Sequence, residues 1–326
     1  EDINDARLLE ERSVANYSKL LQDVSILVID EAQNIPEIGL ILKLIVDGID
    51  GIKVIATGSS MFDLANKLGE PLVGRKNTIY LFPLSQIEFS QFENYKQTTE
   101  NLETRLLYGG YPELTHYESW DEKKEYLKEI VNSYLLKDIL VFDGIKNSDK
   151  IYDLLRLIAF QIGKEVSLQE LGNQLQMSKN TVERYLDLLS KVFILFKIEG
   201  FSKNLRKEIT KSSRWYFFDN GIRNAIINNF NTLNNRTDVG DLWENYLASE
   251  RIKKQHYKKM VKQNYFWRTY DQQELDWLET EAETINAFEF KWNENKKSKV
   301  PTAFSKAYTE ASFDVINKQN YLEFIS

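Results

Sequence analysis

Apolar residues near the start of the chain predict two parallel strands joined by a helix. Ile26–Ile29 is an unbroken apolar run, Glu37–Val46 has apolar residues at helical spacing, and Lys53–Thr57 is a second strand-like run. An unbroken run is typical of a parallel strand that is covered on both faces. The pattern therefore predicts a β-α-β unit, whose ligands bind where its strands end.

In the middle of the chain the spacing changes to that of two consecutive helices. The segment SLQELGNQLQMSKNTVERYLDLLS has serines suited to cap helices at Ser167 and Ser178, with a short turn at Gln176–Met177 between them. Strand-like runs follow at residues 193–198 and 215–218. This order predicts a winged helix, whose second helix turns polar and basic side chains towards a DNA major groove or a protein partner. These side chains are Lys179, Asn180, Thr181 and Arg184.

In the last part of the chain, apolar and polar residues alternate with a period of two. Glu274–Leu278 and Ala287–Trp292 predict paired strands; in the second, the aromatic residues share one face while Glu289 and Lys291 share the other. Beyond residue 300 the sequence predicts a helical segment and then a closing strand at Tyr321–Ile325.

Charged side chains on these strands match the PD-(D/E)xK pattern of metal-dependent nucleases. Asp276 is followed on the adjacent strand by Glu289 and Lys291. The carboxylates supply the oxygen ligands that Mg²⁺ or Mn²⁺ prefers, and the metal would generate hydroxide and polarise a phosphodiester. The lysine can hold the attacking water or stabilise charge on the phosphate. The alternatives are a solvated strand face with a Glu-Lys pair, or a nuclease fold retained for contacts between subunits.

Composition limits the chemistry that remains. The chain has 326 residues, 42% apolar and 13% aromatic, which suffices for two or three folded domains. It has no cysteine, which excludes disulfides and thiolate chemistry and favours a cytoplasmic location. The two histidines, His116 and His256, are far apart, so no histidine-based site is predicted. No apolar run reaches the roughly 18 residues of a membrane span, and no membrane partner is expected.

The distribution of charge bears on nucleic-acid binding. A net charge of −7 argues against a uniformly basic surface. Two segments are nevertheless basic: Lys203–Arg214 has five basic residues against Glu208 alone, and Arg251–Arg268 has seven and no acidic residue. We expect the first segment to contact a DNA backbone and the second to lie near its path. The candidates in the first segment are Lys203, Arg206, Lys207 and Lys211.

The acidic pair after the first apolar run is a second candidate site. Asp30, at a strand end, can hold Mg²⁺ directly or through water, and Glu31 can orient or deprotonate an attacking water. A polar residue after the next strand (Thr57, Ser59 or Ser60) can position that water at a γ-phosphate. Any α/β protein can also end a strand on acids without such chemistry.

Several motifs make the chain resemble prokaryotic AAA+-type ATPases that carry a C-terminal nuclease-like domain. They are DEAQ at 30–33, TGSS at 57–60, VGR at 73–75, FPLS at 82–85 with Glu88, and GGYPE at 109–113. The resemblance implies Mg²⁺ binding by Asp30, water activation by Glu31, nucleotide sensing by Ser59 and an arginine-finger role for Arg75. It also implies that Glu244, on a helix before the last strands, completes a metal site. Arginine fingers act between subunits, so a homo-oligomer is expected if that role carries over.

The phosphate loop of that family, GxxxxGK[ST], has no counterpart in the chain, whose first glycine is Gly39. We therefore expect a fragment that holds the second half of an ATPase module and does not hydrolyse ATP by itself. ATP and Mg²⁺ are the cofactors expected of the intact protein.

The sequence thus predicts an α/β protein with three domains. Residues 1–95 form part of an AAA+ sheet, residues 96–228 a helical lid and winged helix, and residues 229–326 a restriction-endonuclease-like domain. The favoured function is nucleotide-driven conformational change that acts on DNA or a protein partner. The alternatives are a metal-dependent DNA nuclease regulated by the ATPase half, and an interaction module without catalysis.

Overall fold

The apolar runs near the start of the chain form the predicted β-α-β unit. The computed structural model describes residues 8–58, 72, 74–135, 148–202, 213–269, 271–296 and 298–326. Its first compact unit is residues 1–81. The helices and strands described in this unit, besides a short 3-10 turn (Ala32–Asn34), are α1 (Val14–Leu20), β1 (Ile26–Ile29), α2 (Ile38–Gly48) and β2 (Lys53–Ala56). β1 and β2 pair in parallel, and the mixed α/β class is confirmed.

The two-stranded sheet is covered on one face only. Leu27 and Val54 pack on an apolar core that α1 and α2 share. On the other face Ile26, Val28 and Ile55 are each more than half exposed. The expectation that β1 is covered on both faces is therefore wrong for this structure, because side chains alternate along a strand and the helices pack on one side.

The second compact unit, residues 82–326, contains most of the helices that the structure describes. They are α3 (Gln86–Phe89), α4 (Tyr95–Glu100), α5 (Leu102–Tyr108), α6 (Trp120–Glu129) with a π-helical continuation (Ile130–Leu135), α7 (Ser148–Phe160), α8 (Leu168–Leu175), α9 (Lys179–Lys191), α10 (Asn220–Ile226), α11 (Val239–Tyr257), α12 (Thr302–Ala307) and α13 (Tyr321–Ile325). None of the helices that the structure describes has both the length and the apolar content of a membrane span.

A seven-stranded sheet runs through this unit in the order β3-β5-β4-β6-β7-β8-β9. The strands are β3 (Glu165–Val166), β4 (Leu195–Gly200), β5 (Ser213–Phe217), β6 (Gln263–Arg268), β7 (Glu274–Glu281), β8 (Thr284–Phe290) and β9 (Ser312–Ile316). β4 and β6 pair in parallel, with Gly200 opposite Phe266. One sheet therefore spans the predicted boundary at residue 228. The division into three domains stays a prediction.

The predicted pair of consecutive helices is present as α8 and α9. Gln176 takes a left-handed conformation at the turn between them, and the capping serines Ser167 and Ser178 accept hydrogen bonds from the first turns of their helices. The predicted inward face of α9 is buried, and Lys179 and Arg184 are exposed. The buried residues are Val182, Tyr185, Leu186 and Leu189.

The end of the chain forms a helix, so the prediction of a closing strand at Tyr321–Ile325 is wrong. Tyr321, Phe324 and Ile325 are buried at the spacing of a helix face. The guanidinium of Arg251 donates to Phe324 O at 2.6 Å and lies 4.4 Å from the Phe324 ring centroid. β9 is the last strand of the sheet instead.

The glycine pair before Pro112 makes close backbone contacts within this unit. The Gly110 N–H donates to Asp219 Oδ2 at 2.7 Å, and its carbonyl accepts from the Leu84 N–H at 2.6 Å. A Cβ at Gly110 would lie 2.4 Å from Leu84 O. These contacts support a structural role for the GGYPE motif.

Candidate functional site

Two side chains meet where β1 and β2 end. The Thr57 hydroxyl donates a hydrogen bond to Oδ1 of Asp30 and accepts one from the Glu31 N–H at 3.3 Å. The Thr57 N–H donates to Ile29 O, and the Thr57 carbonyl accepts from the Ala32 N–H, each at 2.9 Å. These two backbone hydrogen bonds also join the ends of the two strands. Ser59 and Ser60, the other two sensor candidates, lie outside the described residues.

The acidic pair at this point is partly or fully accessible to solvent. Glu31 has a left-handed backbone (φ 49°, ψ 44°), which is uncommon outside glycine. Its carboxylate accepts a hydrogen bond from the Gln33 amide. Asp30 is exposed and Glu31 half-buried, and neither forms an ion pair with any residue that the structure describes. Such carboxylates at the ends of parallel strands are placed to receive a cation.

The predicted arginine finger is held at the surface. Arg75 Nε donates to Asp47 Oδ1, on α2, at 2.8 Å. The two side chains are 44% and 41% exposed. An exposed pair of this kind contributes less than about 1 kcal/mol, so Arg75 can exchange Asp47 for another anion.

In the second unit, the charged residues predicted for the last region converge. Asp276, on β7, is buried, and its Oδ2 accepts the Phe290 N–H at 2.8 Å. Glu289, on β8, is 9% exposed. One of its carboxylate oxygens accepts a hydrogen bond from Lys291 Nζ, and within the described residues the other, which is buried, has no hydrogen-bond partner.

Two residues of β5 that were not among the predicted site residues, Arg214 and Tyr216, contact these carboxylates. Arg214 donates to Glu274 Oε2 at 2.9 Å and lies 3.6 Å from Glu244 Oε1 and 3.9 Å from Asp276 Oδ1. Tyr216 Oη donates to Glu244 Oε1 at 2.7 Å. Arginine and tyrosine two positions apart on a strand point to the same face. The sequence signal was the arginine that ends the basic segment Lys203–Arg214, directly before the aromatic run WYFF.

A glycine makes room for the Glu244 carboxylate. Gly163, between α7 and β3, has φ of +70°, and a Cβ there would lie 2.7 Å from Glu244 Oε1. A side chain at this position would displace the carboxylate. The cluster therefore combines residues from both sides of the predicted boundary at residue 228.

Burial and mutual repulsion change the protonation of the cluster. Burial and the Asp276 carboxylate raise the pKa of Glu244 to about 8. Burial and Glu289 raise the pKa of Asp276 to about 6. For Lys291, burial opposes the charged form, but its hydrogen bond to Glu289 and the nearby Asp276 outweigh burial and raise its pKa. At neutral pH Glu244 is therefore largely protonated and Lys291 is charged.

As arranged, the cluster does not fit a divalent ion. Among the residues with described positions, no three acidic or histidine side chains group as metal ligands. Arg214 and Lys291 already face the carboxylate oxygens. Even so, four carboxylates against two cations leave a formal excess of two negative charges when all are ionised. The carboxylates are Glu244, Glu274, Asp276 and Glu289. The predicted metal role of these residues stays a prediction.

The basic run Arg251–Arg268 is engaged mainly inside the fold. Arg251, at 2.5 Å, and Lys262, at 3.2 Å, both pair with Glu279, whose side chain is fully buried. The other pairs are Lys253 with Glu250 and Arg268 with Glu165, each at 2.8 Å. The Arg251 pair joins α11 to β7, the Lys253 pair lies within α11, and the Arg268 pair joins β6 to β3. The expectation that DNA passes near this run stays a prediction.

The residues predicted to contact nucleic acid are described only in part. Lys179 and Arg184 are exposed on α9, and the Arg184 guanidinium lies 5.5 Å from the Tyr185 ring centroid. The remaining candidates lie outside the described residues. They are Lys203, Arg206, Lys207 and Lys211.

Family comparisons match three stretches of the chain. An AAA domain model matches residues 1–90, the stretch for which the sequence predicts an AAA-type module; this family in general uses nucleotide and Mg²⁺. Two domains of unknown function match most of the remaining residues, DUF8612 at residues 99–233 and DUF4143 at residues 239–322. No solved structure matches the chain at a significant level.

Curated relatives are similar over much of the chain. The uncharacterized protein MJ1544 of Methanocaldococcus jannaschii is 24% identical over 308 residues, which cover 89% of this chain and 67% of the relative. An uncharacterized protein of Haemophilus influenzae is 26% identical over 183 residues, which cover 53% of this chain and 46% of the relative. The uncharacterized protein Rv2008c of Mycobacterium tuberculosis is 23% identical over 257 residues, which cover 77% of this chain and 55% of the relative. The chain thus spans between about half and two thirds of these relatives.

Proposed function

We propose that the N-terminal stretch is part of an ATP-hydrolysing module, in which Asp30 binds the Mg²⁺ of ATP and Glu31 orients the attacking water. The observation that carries this proposal is the contact of Asp30 with Thr57 at the adjoining ends of β1 and β2, inside the stretch that matches the AAA domain. Thr57 fixes one carboxylate oxygen of Asp30 and leaves the other for Mg²⁺ or its water. In the same proposal Ser59 senses the nucleotide and Arg75 acts across a subunit interface.

ATP hydrolysis by the complete gene product tests this function. We expect Glu31→Gln to lower kcat by roughly 100-fold or more while ATP still binds. Asp30→Asn should also weaken binding of Mg²⁺-ATP. Glu37→Gln is the matched control, because Glu37 is an exposed carboxylate of the same unit that pairs with Arg12. Unchanged hydrolysis in Glu31→Gln would overturn the proposal.

We propose metal-dependent cleavage of DNA by the carboxylate cluster as a second function. It is supported by the buried Glu289 oxygen that lacks a partner among the described residues, beside Asp276 and the charged Lys291. Glu244, Asp276 and Glu289 are the residues that would hold Mg²⁺ or Mn²⁺, and Lys291 supplies a positive charge for a phosphate oxygen.

Cleavage of plasmid and branched DNA by this chain, with Mg²⁺ or Mn²⁺, tests the second function. Activity that is lost in Lys291→Ala and kept in Lys306→Ala, an exposed lysine of α12, supports it. Absence of cleavage by the folded wild-type chain overturns it. Absence of both activities, with stable self-association in light scattering, favours the interaction module.

We also propose that α9 contacts a DNA partner through Lys179 and Arg184. Both are exposed in its first two turns. Fluorescence anisotropy against duplex DNA should show weaker binding by the double alanine variant and a salt slope lower by about two. Lys96→Ala, at an exposed position of α4, is the control. Equal affinities of the double variant and wild type would overturn this contact.

A further inference from the structure

Gln33 is a buried polar residue inside the DEAQ motif at residues 30–33. It is 6% exposed and lies in the 3-10 turn that follows β1. Its side-chain nitrogen, Nε2, donates a hydrogen bond to Oε2 of Glu31. Glutamine is mostly found at protein surfaces. The burial of Gln33 therefore holds its amide against the carboxylate that the first proposed function assigns to the attacking water.

The backbone of Glu31 is fixed as well. Its left-handed conformation is one that residues other than glycine keep only where the surrounding structure holds them. The Glu31 N–H donates to the Thr57 hydroxyl at 3.3 Å, and the Glu31 carbonyl accepts from the Asn34 N–H at 2.9 Å. The Glu31 side chain is thus constrained at both ends, at its backbone by these contacts and at its carboxylate by Gln33.

The partner of the Glu31 carboxylate is neutral. An amide donor orients a carboxylate without cancelling its charge, in contrast to the arginine and the lysine that lie beside the carboxylates of the second unit. Gln33 engages one oxygen of Glu31 and leaves the other for a water molecule. Thr57 acts in the same way on Asp30, because its hydroxyl donates to one oxygen only. Both acids therefore keep their charge and one oxygen for ligands.

We propose that Gln33 is a positioning residue of the ATPase site, which holds the Glu31 carboxylate in the orientation that activates the attacking water. This inference rests on the first proposed function, because it concerns the same carboxylate. A general base must approach its proton donor to roughly 2.6–3.2 Å, whereas a glutamate side chain without such a contact samples several rotamers. Gln33 therefore acts on the chemical step and not on nucleotide binding.

Steady-state ATP hydrolysis by the complete gene product tests the proposal. Gln33→Met keeps much of the side-chain volume but cannot donate, and it should lower kcat by about 10-fold or more and leave KM within about twofold of wild type. Gln33→Glu keeps the length of the side chain and adds a like charge, so kcat should fall at least as far. Gln22→Met is the matched control, because Gln22 is an exposed glutamine of the same unit, and its kcat should equal that of wild type. Thermal melts show which variants are folded; should Gln33→Met not fold, Gln33→Glu decides.

Nuclear magnetic resonance of this chain tests the contact without ATP. The side-chain NH₂ resonances of Gln33 are identified by their loss in Gln33→Met. A hydrogen bond to a carboxylate moves an amide proton downfield, so the resonance should shift upfield in Glu31→Ala and stay in place in Glu37→Ala. An unchanged resonance in Glu31→Ala would overturn the contact and the proposal with it.

The outcomes separate this inference from the ATPase function. Full activity of the folded Gln33 variants, together with loss of activity in Glu31→Gln, overturns the positioning role and leaves the ATPase function standing. A lower melting temperature of Gln33→Met with unchanged kcat shows a structural role only and also overturns the positioning role. Unchanged hydrolysis in Glu31→Gln overturns the ATPase function itself.

Discussion

Among single residues, Glu244 shows how the fold changes the chemistry of a carboxyl group. Burial and the repulsion of Asp276 raise its pKa to about 8, against the opposing effects of Arg214 and Tyr216, and Asp241 adds further repulsion. An unfolded chain releases this proton near pH 4.5, whereas the folded state keeps it. The contribution of Glu244 to stability therefore falls as the pH rises from about 4.5 to about 8.

Glu244→Gln should remove this pH dependence, because glutamine keeps the shape of the side chain and cannot ionise. The difference in melting temperature, variant minus wild type, should be about 2–4 °C larger at pH 8.5 than at pH 5.5. Differential scanning fluorimetry at both pH values measures it. Glu183→Gln, at an exposed position of α9, should show no such change. The same difference at both pH values for Glu244→Gln would contradict the raised pKa.

The site could be predicted from sequence only where its residues are close along the chain. Asp276 and Glu289 lie on strands that are neighbours in sequence and in the sheet, and Lys291 directly follows the second of them, so their spacing identifies them. Arg214 and Tyr216 enter through β5, which reaches the cluster because β4 pairs with β6. β4 and β6 are far apart in the chain, and the periodicity of each segment by itself does not predict which strands pair.

Among the elements, α11 is held by a buried ion pair. Arg251 donates to both oxygens of Glu279, at 2.5 and 2.7 Å. We expect Arg251→Met to lower the free energy of unfolding by about 3–5 kcal/mol, because it leaves a buried carboxylate short of its main partner. Lys262 also pairs with Glu279 at 3.2 Å and should keep the loss at the lower end. Urea denaturation measures the effect.

Lys259→Met is the control for this substitution. Lys259 belongs to the same basic run and is exposed, so its loss should change stability by less than about 0.5 kcal/mol. Equal small effects of the two substitutions would show that the run is a surface feature, as its composition alone suggests.

The two wrong predictions, a strand at residues 321–325 and a β1 covered on both faces, both rest on apolar patterns of only four or five residues. The five residues at the end of the chain, three of them apolar or aromatic and buried, fit the period of a strand as well as that of one helical turn. In the structure they form a helix, and Arg251 on α11 donates a hydrogen bond to its Phe324 carbonyl. For β1, an unbroken apolar run predicts cover on both faces, but α1 and α2 pack on one. Longer patterns, such as α8 and α9, were predicted correctly because their periodicity extends over several turns.

At the scale of the whole molecule, the seven-stranded sheet makes residues 82–326 a single packing unit. β4 and β6 join its two halves. Asn245, on α11, accepts from the Phe217 N–H at 2.7 Å and donates to Phe217 O at 3.0 Å. A cut at the predicted boundary after residue 228 would break both connections and expose an edge of the sheet.

We therefore expect the fragment of residues 82–326 to unfold cooperatively and the fragment of residues 229–326 not to do so. The smaller fragment loses β5, and with it the partners of Asn245 and Glu244, so its interior keeps polar groups without hydrogen bonds. Thermal melts by circular dichroism, together with limited proteolysis, measure both fragments. A cooperative melt of residues 229–326 would show that this region folds as a separate domain, and Arg214 would then belong to an interface between domains.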